Sequence, residues 1–279
     1  MKYDIPKANE NIRNASMQRT QEYFAASAEA QAEKTRLDGI AALYDHRVQQ
    51  WLTARGIASG ARVLEIGYGS GTMLSWLAKQ VGPTGHVTGI DITDRCLDRS
   101  ELPQHVEIRE GDIEQMALER STYDLVYGRL ILEHLKDPSK AMARLVQTLR
   151  PGGELAFFEF HGYSIHGLDR SHPLVTAFDS GMQEVLAATE RIGVMDIAFG
   201  PKVEGLMLSA GMTDVQNDIL SRDTRGKSLG ARVLGQSIRT MARHSPALTV
   251  AANPVLEALE RDDFRYRDFD LYATFGRKS

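Results

Sequence analysis

The sequence predicts an α/β fold: a doubly wound, mostly parallel seven-stranded sheet, with a helical N-terminal lid and an inserted cap. Three observations carry that expectation. From residue 62 onward, short apolar runs alternate with runs of helical length and period, the pattern of strands joined by crossover helices. The first strand-like run enters a turn, "VLEIGYGSGT", with glycines at 67, 69 and 71. The alternation then stops after Phe160, and again at about 226, leaving two stretches that belong to no strand–helix unit.

Each element follows in order. Residues 12 to 55 read as helix: they lack proline and carry Leu37, Ile40, Leu43, Tyr44, Val48, Trp51 and Leu52 at helical intervals. "RGIASGA" ends that helix and leads to the strand "RVLEIG". "TMLSWLAKQV" is a helix closed by "GPTG". "HVTGIDI" is a second strand, with a short helix expected around "DRCLDRS". "VEIREGD" and "YDLVYG" are the third and fourth strands, the latter followed by a helix through "LEHLKDPSKAMARLVQTL". "RPGG" introduces a fifth strand, "ELAFFEF". "KVEGLMLSAG" and "MTDVQNDIL" restore a helix and a strand, and "FDLYATFGRK" is the last strand. The expected organisation is a lid over 1–55, a ligand-binding core over 56–160 and a helical cap over 161–200. The rest of the core spans 201–279, with a helical insertion at about 226–262. Caps of this kind close over ligands at the carboxyl ends of strands.

Composition narrows the function classes. A net charge of −4, with no concentrated Lys/Arg block, argues against a nucleic-acid partner. The one basic stretch, 225 to 244, reads as an amphipathic helix with a solvated face. A single cysteine, Cys96, excludes an intrachain disulfide and a cysteine-built metal site. It reads as a small, half-buried helical residue. No segment approaches the ~20 apolar residues that span a bilayer, and the N-terminal stretch has no apolar h-region. A cytoplasmic location is therefore expected.

The glycine turn suits a ligand lying against bare backbone beside a helix start, where free N–H groups gather. Asp91 ends the second strand, twenty residues after Gly71, placed to accept from ribose hydroxyls. Asp112 ends the third, one step along, where an adenine amino group would donate. Glu65 precedes the first glycine by two residues. It would repel a pyrophosphate but suits an ammonium group. A nicotinamide fingerprint reads Gly-x-Gly-x-x-Gly without that acid, whereas this chain has its third glycine one place early. The pattern points to a nucleoside carrying an amino-acid tail.

"VLEIGYGSG", "GIDIT", "EGDI", "YDLVYGRLILEHLKDP" and "LRPGGELAFFE", in this order, resemble the class I S-adenosylmethionine-dependent methyltransferases, nearest to the ubiquinone-biosynthesis-like small-molecule group. The resemblance covers about 60 to 160 closely and the rest more loosely. It implies a Rossmann-like methyltransferase fold with S-adenosyl-L-methionine as cofactor. By it, Gly67, Tyr68, Gly69 and Gly71 line the methionine part, with Glu65 near its ammonium and Thr72 near its carboxylate. Asp91 holds the ribose, and Ile92 covers the adenine face. Asp112 and Ile113 meet the adenine edge, and backbone at Gly128 and Arg129 meets the tail. The ring of Tyr68 is expected to narrow the entrance.

A sulfonium is a strongly activated methyl donor, so alignment carries much of the chemistry, and a base is needed only for a protonated nucleophile. The base candidates are His134, on the helix after the fourth strand, and His161, at the end of the fifth. Replacing either by alanine is expected to lower kcat with cofactor affinity unchanged. No metal is expected, since His161, His166, His172 and Asp169 match no ligand spacing. Tyr23, Phe24, Tyr44, Tyr163, Phe178, Met182, Met195, Phe199 and Met207 are the apolar candidates for the roof. The expected activity is methyl transfer to an O, N or C nucleophile of a small, apolar or aromatic metabolite, of the kind found in secondary metabolism. Two alternatives stand beside it: an RNA or protein methyltransferase, and a cofactor-binding protein that transfers nothing. Self-association into a homo-oligomer is left open.

Overall fold

The computed structural model describes residues 30–193, 195–242 and 246–279. Tyr23, Phe24 and the first part of the expected N-terminal helix lie outside the described residues. The described chain begins with α1 (Ala30–Arg55), followed by β1 (Arg62–Ile66), α2 (Thr72–Val81), β2 (His86–Asp91), β3 (Val106–Glu110) and β4 (Tyr123–Arg129). Then come α3 (Pro138–Thr148), β5 (Leu149–His161), β6 (His166–Gly167), α4 (Val175–Ile192) and α5 (Val203–Ser209). The last elements are β7 (Thr213–Leu220), β8 (Asp223–Arg225), α6 (Leu229–Ala242), α7 (Pro246–Leu259), β9 (Arg265–Arg267) and β10 (Asp270–Arg277).

Seven strands form one sheet in the order β3-β2-β1-β4-β5-β10-β7. β1 to β5 pair in parallel, and β10 runs antiparallel to both β5 and β7. The sheet is covered on both faces, so its central strands read as unbroken apolar runs rather than alternating ones. Alternate residues still divide the core. Val63, Tyr127, Ala156 and Phe158 pack with α1 and α2, whereas Leu64, Ile66, Val126 and Phe157 pack with α3 and α5. Trp51 of α1 lies against Phe158 at 5.8 Å and donates its indole N–H to Asp218 of β7 at 2.7 Å, fixing the helix across the sheet.

A second core lies outside the sheet. Phe178, Met182 and Val185 of α4, Leu234 and Ile238 of α6, and Val255 and Leu259 of α7 form a cluster with Phe264 and Tyr266. A three-stranded sheet, β6-β9-β8, closes it. Strands of two or three residues are too short to display a period of two, so this sheet left no trace in the sequence pattern.

Two expected helices differ. The helix through "LEHLKDPSKAMARLVQTL" is a single 3₁₀ turn at Leu132–His134 and then α3, which starts at Pro138. Asp137 caps α3 by accepting from the Lys140 N–H at 2.9 Å, and Pro138 at the first turn has no N–H to continue a preceding helix. The "DRCLDRS" segment is a turn plus one 3₁₀ turn at Arg99–Glu101, so Cys96 sits in a turn, half-buried, and not in a helix.

Candidate active site

A cavity of about 570 Å³ opens at the carboxyl ends of β1, β2 and β4. That size suits a small-molecule site, and the position is where ligands of open α/β sheets collect. Its floor is the strand tips. Its far wall is α4 and α6, and α1 closes one side through Leu37, Ile40, Leu43 and Tyr44.

The glycine turn makes the floor. Gly67, Gly69 and Gly71 have φ of 69°, 54° and 80°, a region that L side chains rarely occupy. Their N–H groups are engaged within the protein: Gly67 donates to Ile90 O at 2.8 Å, Gly69 to Asp91 Oδ2 at 2.9 Å and Gly71 to Tyr68 O at 2.8 Å. The three glycine N–H groups thus serve the turn itself, so any free N–H groups at this point belong to the start of α2. Gly67, Tyr68, Gly69 and Thr72 line the cavity, while Gly71 stands behind it, where a Cβ would come within 2.3 Å of Leu97. Tyr68 does not narrow the entrance. Its ring packs down over β2, close enough that a Cβ on Gly89 would meet it at 3.0 Å, and its hydroxyl is buried without a partner.

At the tip of β2, Asp91 accepts from Gly69 N–H at Oδ2 and, over a long 3.3 Å, from Thr93 N–H at Oδ1, with the Ile92 N–H a further backbone donor. Burial raises its pKa, and the N–H groups of Gly69 and Thr93 oppose that shift. Ile92 follows, an apolar side chain left 41% exposed on the cavity wall. Asp112 and Ile113 lie beside it at the end of β3, with Asp112 Oδ1 accepting from Glu114 N–H at 2.8 Å.

Glu65 does not reach the wall. It is 2% exposed, faces α1, and keeps Oε2 without a partner. Burial drives its pKa well above the ordinary value, Arg129 pulls it down, and Asp45 and Asp91 push it up. Arg129, at the end of β4, lines the cavity and ties α1 to the sheet through Asp45 at 2.9 Å and Ile40 O at 3.4 Å. Gly128 is a packing position rather than a cavity one: a Cβ there would stand 2.6 Å from Phe157 and 2.9 Å from Ile66.

The strand tips β4 and β5 carry a feature that sequence reasoning missed. Glu159 accepts from Ile131 N–H at 3.1 Å and Leu132 N–H at 3.0 Å, which pins the 3₁₀ turn, while its Oε2 is buried and unpaired. Glu133 on that turn is buried yet reaches the cavity wall, and its Oε1 lies 3.5 Å from His134 Nε2. Burial lifts both carboxyls. Glu159 rises to about 7 despite its backbone donors, and Glu133 is held well above the ordinary carboxylate range by burial first, then by Glu159 and Asp196, with the Phe160 backbone and Arg36 opposing. At neutral pH the two behave as an acid pair that releases protons reluctantly. The only sign in the sequence was an acid inside an apolar strand, "FFEF".

The two expected histidines separate. His134 lines the cavity. His161 does not: Phe160 takes the cavity face of β5, so the next side chain points the other way. Its ring lies between Tyr163 at 6.3 Å and Tyr272 at 6.2 Å, away from the cavity lining. His166 and His172 are held by Ser164 O and by Leu174 N–H with the Phe264 ring. Among the described residues no three metal-ligating side chains converge.

Beyond Phe160 the wall is apolar: Met182, Val185, Leu186, Ile197, Leu234 and Ile238. Of the roof candidates, Tyr44, Met182 and Met195 face the cavity, whereas Phe178, Phe199 and Met207 are core and Tyr163 bonds Glu190. The basic stretch 225–244 is largely α6; its Arg239 pairs with Glu260, Arg225 with Asp262, and its apolar face builds the wall.

Comparison with known proteins agrees with this geometry. Residues 64–157 match the family model described as a methyltransferase domain. The chain is 38% identical over 112 residues to an uncharacterized 37.1 kDa protein in transposon TN4556 of Streptomyces fradiae, covering 39% of this chain and 32% of that one. It is 28% identical over 130 residues to a demethylmenaquinone methyltransferase of Staphylococcus aureus, covering 44% of this chain and 54% of that one. The chain thus spans about a third to a half of the curated relatives it matches. Among solved structures, a phosphoethanolamine N-methyltransferase of Haemonchus contortus, in complex with phosphomonomethylethanolamine and S-adenosylhomocysteine, superposes with a TM-score of 0.54. It is 16% identical, covering 84% of this chain and 52% of that one. The fold is the Rossmann-like methyltransferase fold.

Proposed function

We propose, from the premise that residues 64–157 are a class I S-adenosylmethionine-dependent methyltransferase domain, that this chain transfers a methyl group to a small, apolar or aromatic molecule held between the strand tips and the cap helices. The observation that carries the reading is the division of one cavity into a charged floor and an apolar far wall. The demethylmenaquinone named in the Staphylococcus aureus relative is an acceptor of that apolar, aromatic kind.

The floor fits the cofactor. Three left-handed glycines keep side chains out of the bend, and Ile92 offers an exposed apolar face beside Asp91 and Asp112 on the cavity wall. In this reading Asp91 holds the ribose through Oδ1, Ile92 and Ile113 sandwich the base, and Asp112 meets its edge. Gly67, Gly69, Thr72 and Arg129 border the amino-acid end. When bound, S-adenosylmethionine supplies a methyl group activated by the sulfonium. Burial by α1, α4 and α6 excludes water from the reacting pair, which removes competing hydrolysis and fixes the approach. His134 lines the cavity beside the strand tips and is placed to take a proton from an O or N nucleophile, with Glu133 next to it on the wall.

The test begins with calorimetry of S-adenosylhomocysteine binding. S-adenosylmethionine turnover is then assayed against three acceptor sets: hydroxylated and amino aromatics, bulk tRNA, and peptides. Turnover that needs an aromatic acceptor supports the proposal. Turnover with tRNA or peptide, or tight binding with no turnover in any set, sinks it in favour of the other two readings.

A further inference from the structure

The apolar half of the cavity has one polar corner, and it is built from distant parts of the chain. Tyr44 of α1, Gly230 of α6, and Asp268 and Phe269 between β9 and β10 all line it. Arg222, just before β8, donates from Nη2 to Asp268 Oδ2 at 2.6 Å and to the Tyr44 hydroxyl oxygen at 3.3 Å. Its guanidinium also lies over the Tyr44 ring, 4.8 Å from the centroid. The pair is rigid because β8 and β9 set it: Asp223 pairs with Arg267, and one step beyond, Asp268 N–H donates to Arg222 O at 2.8 Å. Asp268 is fully engaged, with Oδ1 on Phe269 N–H at 2.9 Å and Oδ2 also accepting from Thr224 at 3.4 Å.

Tyr44 is not engaged in full. Its oxygen accepts from Arg222, but its own proton has no acceptor among the described residues. Burial, and Asp268 beside it, hold the phenol above its ordinary pKa, so it stays a neutral donor. A buried donor left unpaired is unfavourable, and a ligand oxygen would relieve that. Acceptance from an arginine also polarises the O–H and strengthens it as a donor. Tyr44 belongs to the buried core and lines the cavity as well, as does Asp268. Gly230 keeps the corner open: a Cβ there would stand 2.9 Å from Thr224, 3.4 Å from Arg222 Nη2 and 3.6 Å from Asp268 Oδ2. Flat walls adjoin it, with Phe160 5.3 Å from Tyr44 and 5.6 Å from Phe269, centroid to centroid.

We propose that Tyr44 is a specificity-determining donor that grips a carbonyl or phenolic oxygen on an aromatic acceptor, with Arg222 and Asp268 as its positioning residues and the packed rings of Phe160 and Phe269 as the apolar wall beside it. This rests on reading the apolar half as the acceptor chamber. It selects oxygenated aromatics over plain hydrocarbons and over charged head groups.

The experiment uses the full chain loaded with S-adenosylhomocysteine and two probes of nearly one shape, 1-tetralone and tetralin, titrated by calorimetry. The wild type should bind tetralone about five- to tenfold more tightly, the worth of one good neutral hydrogen bond. The carbonyl stretch of the bound ketone should move to lower frequency. Tyr44→Phe should erase both the preference and the shift while tetralin and S-adenosylhomocysteine bind as before. Gly230→Ala, which keeps Tyr44 but crowds the corner, should weaken tetralone selectively. Equal affinity for the two probes in the wild type, no measurable tetralone binding, or a preference that survives in Tyr44→Phe would each overturn the proposal. Failure of S-adenosylhomocysteine to bind would instead strike the methyl-transfer reading, and the two probes can still be compared on the bare protein.

Discussion

The two halves of the cavity are made differently. The floor is built from local geometry: a strand, a bend of three glycines within five residues, and acids at successive strand tips. The far wall is built from packing between α1, α4, α6 and the small sheet, and its polar corner joins residues 178 and 46 positions apart. A floor of backbone and short motifs changes little without loss of the fold. A wall of interchangeable apolar side chains can be recut for a new acceptor at small expense in stability. Cofactor and acceptor recognition should therefore come apart under mutation.

The strongest challenge to that division is Gly128→Val. If Gly128 is a packing position, the added side chain meets Phe157 and Ile66 and destabilises the fold by about 3 kcal/mol in denaturant titration. A stable variant with weakened cofactor binding would return Gly128 to the ligand. Asp91→Ala should weaken S-adenosylhomocysteine by about 1.5–3 kcal/mol in calorimetry and leave tetralin binding unchanged. Loss of both would mean the halves are one cooperative unit. Leu234→Phe in the wall should do the converse, weakening the apolar probe by about 1–2 kcal/mol with cofactor affinity kept.

The acid pair tests the boundary between the halves. A carboxyl whose folded pKa is raised stabilises the fold only while protonated. The contribution of Glu159 is complete below the ordinary glutamate value of 4.5 and is lost as pH rises through about 7. Wild-type stability should thus fall across pH 4.5 to 7 by chemical denaturation, and Glu159→Gln should flatten that slope. An unchanged slope would show that the pair is not held protonated.

How much of this was legible follows the same division. Gly67, Gly69, Asp91 and Asp112 announce themselves because strand, turn and acid are close in sequence and each has one physical use. Glu65 and Gly128 were placed in the right layer but not on the right surface, since a strand pattern shows alternation and not which neighbour covers a face. His134 was expected on a helix that Asp137 and Pro138 in fact start later. Glu133, Glu159, Tyr44, Arg222 and Asp268 acquire their roles only from contacts across the fold, and no spacing encodes those.

The smallest effect decides the most direct contrast, between two consecutive residues. Phe160 and His161 end the same strand on opposite faces, so one belongs to the cavity and the other to a ring cluster outside it. His161→Ala should leave kcat within about twofold, because its ring lies away from the cavity lining. It should cost about 0.5–1.5 kcal/mol of stability from the lost aromatic contacts with Tyr163 and Tyr272. Phe160→Ala should raise KM for the acceptor, because it removes part of the apolar wall beside Tyr44. A His161→Ala enzyme that folds normally but turns over tenfold more slowly would mean that β5 reaches the chemistry through its other face, and the cavity would no longer account for catalysis.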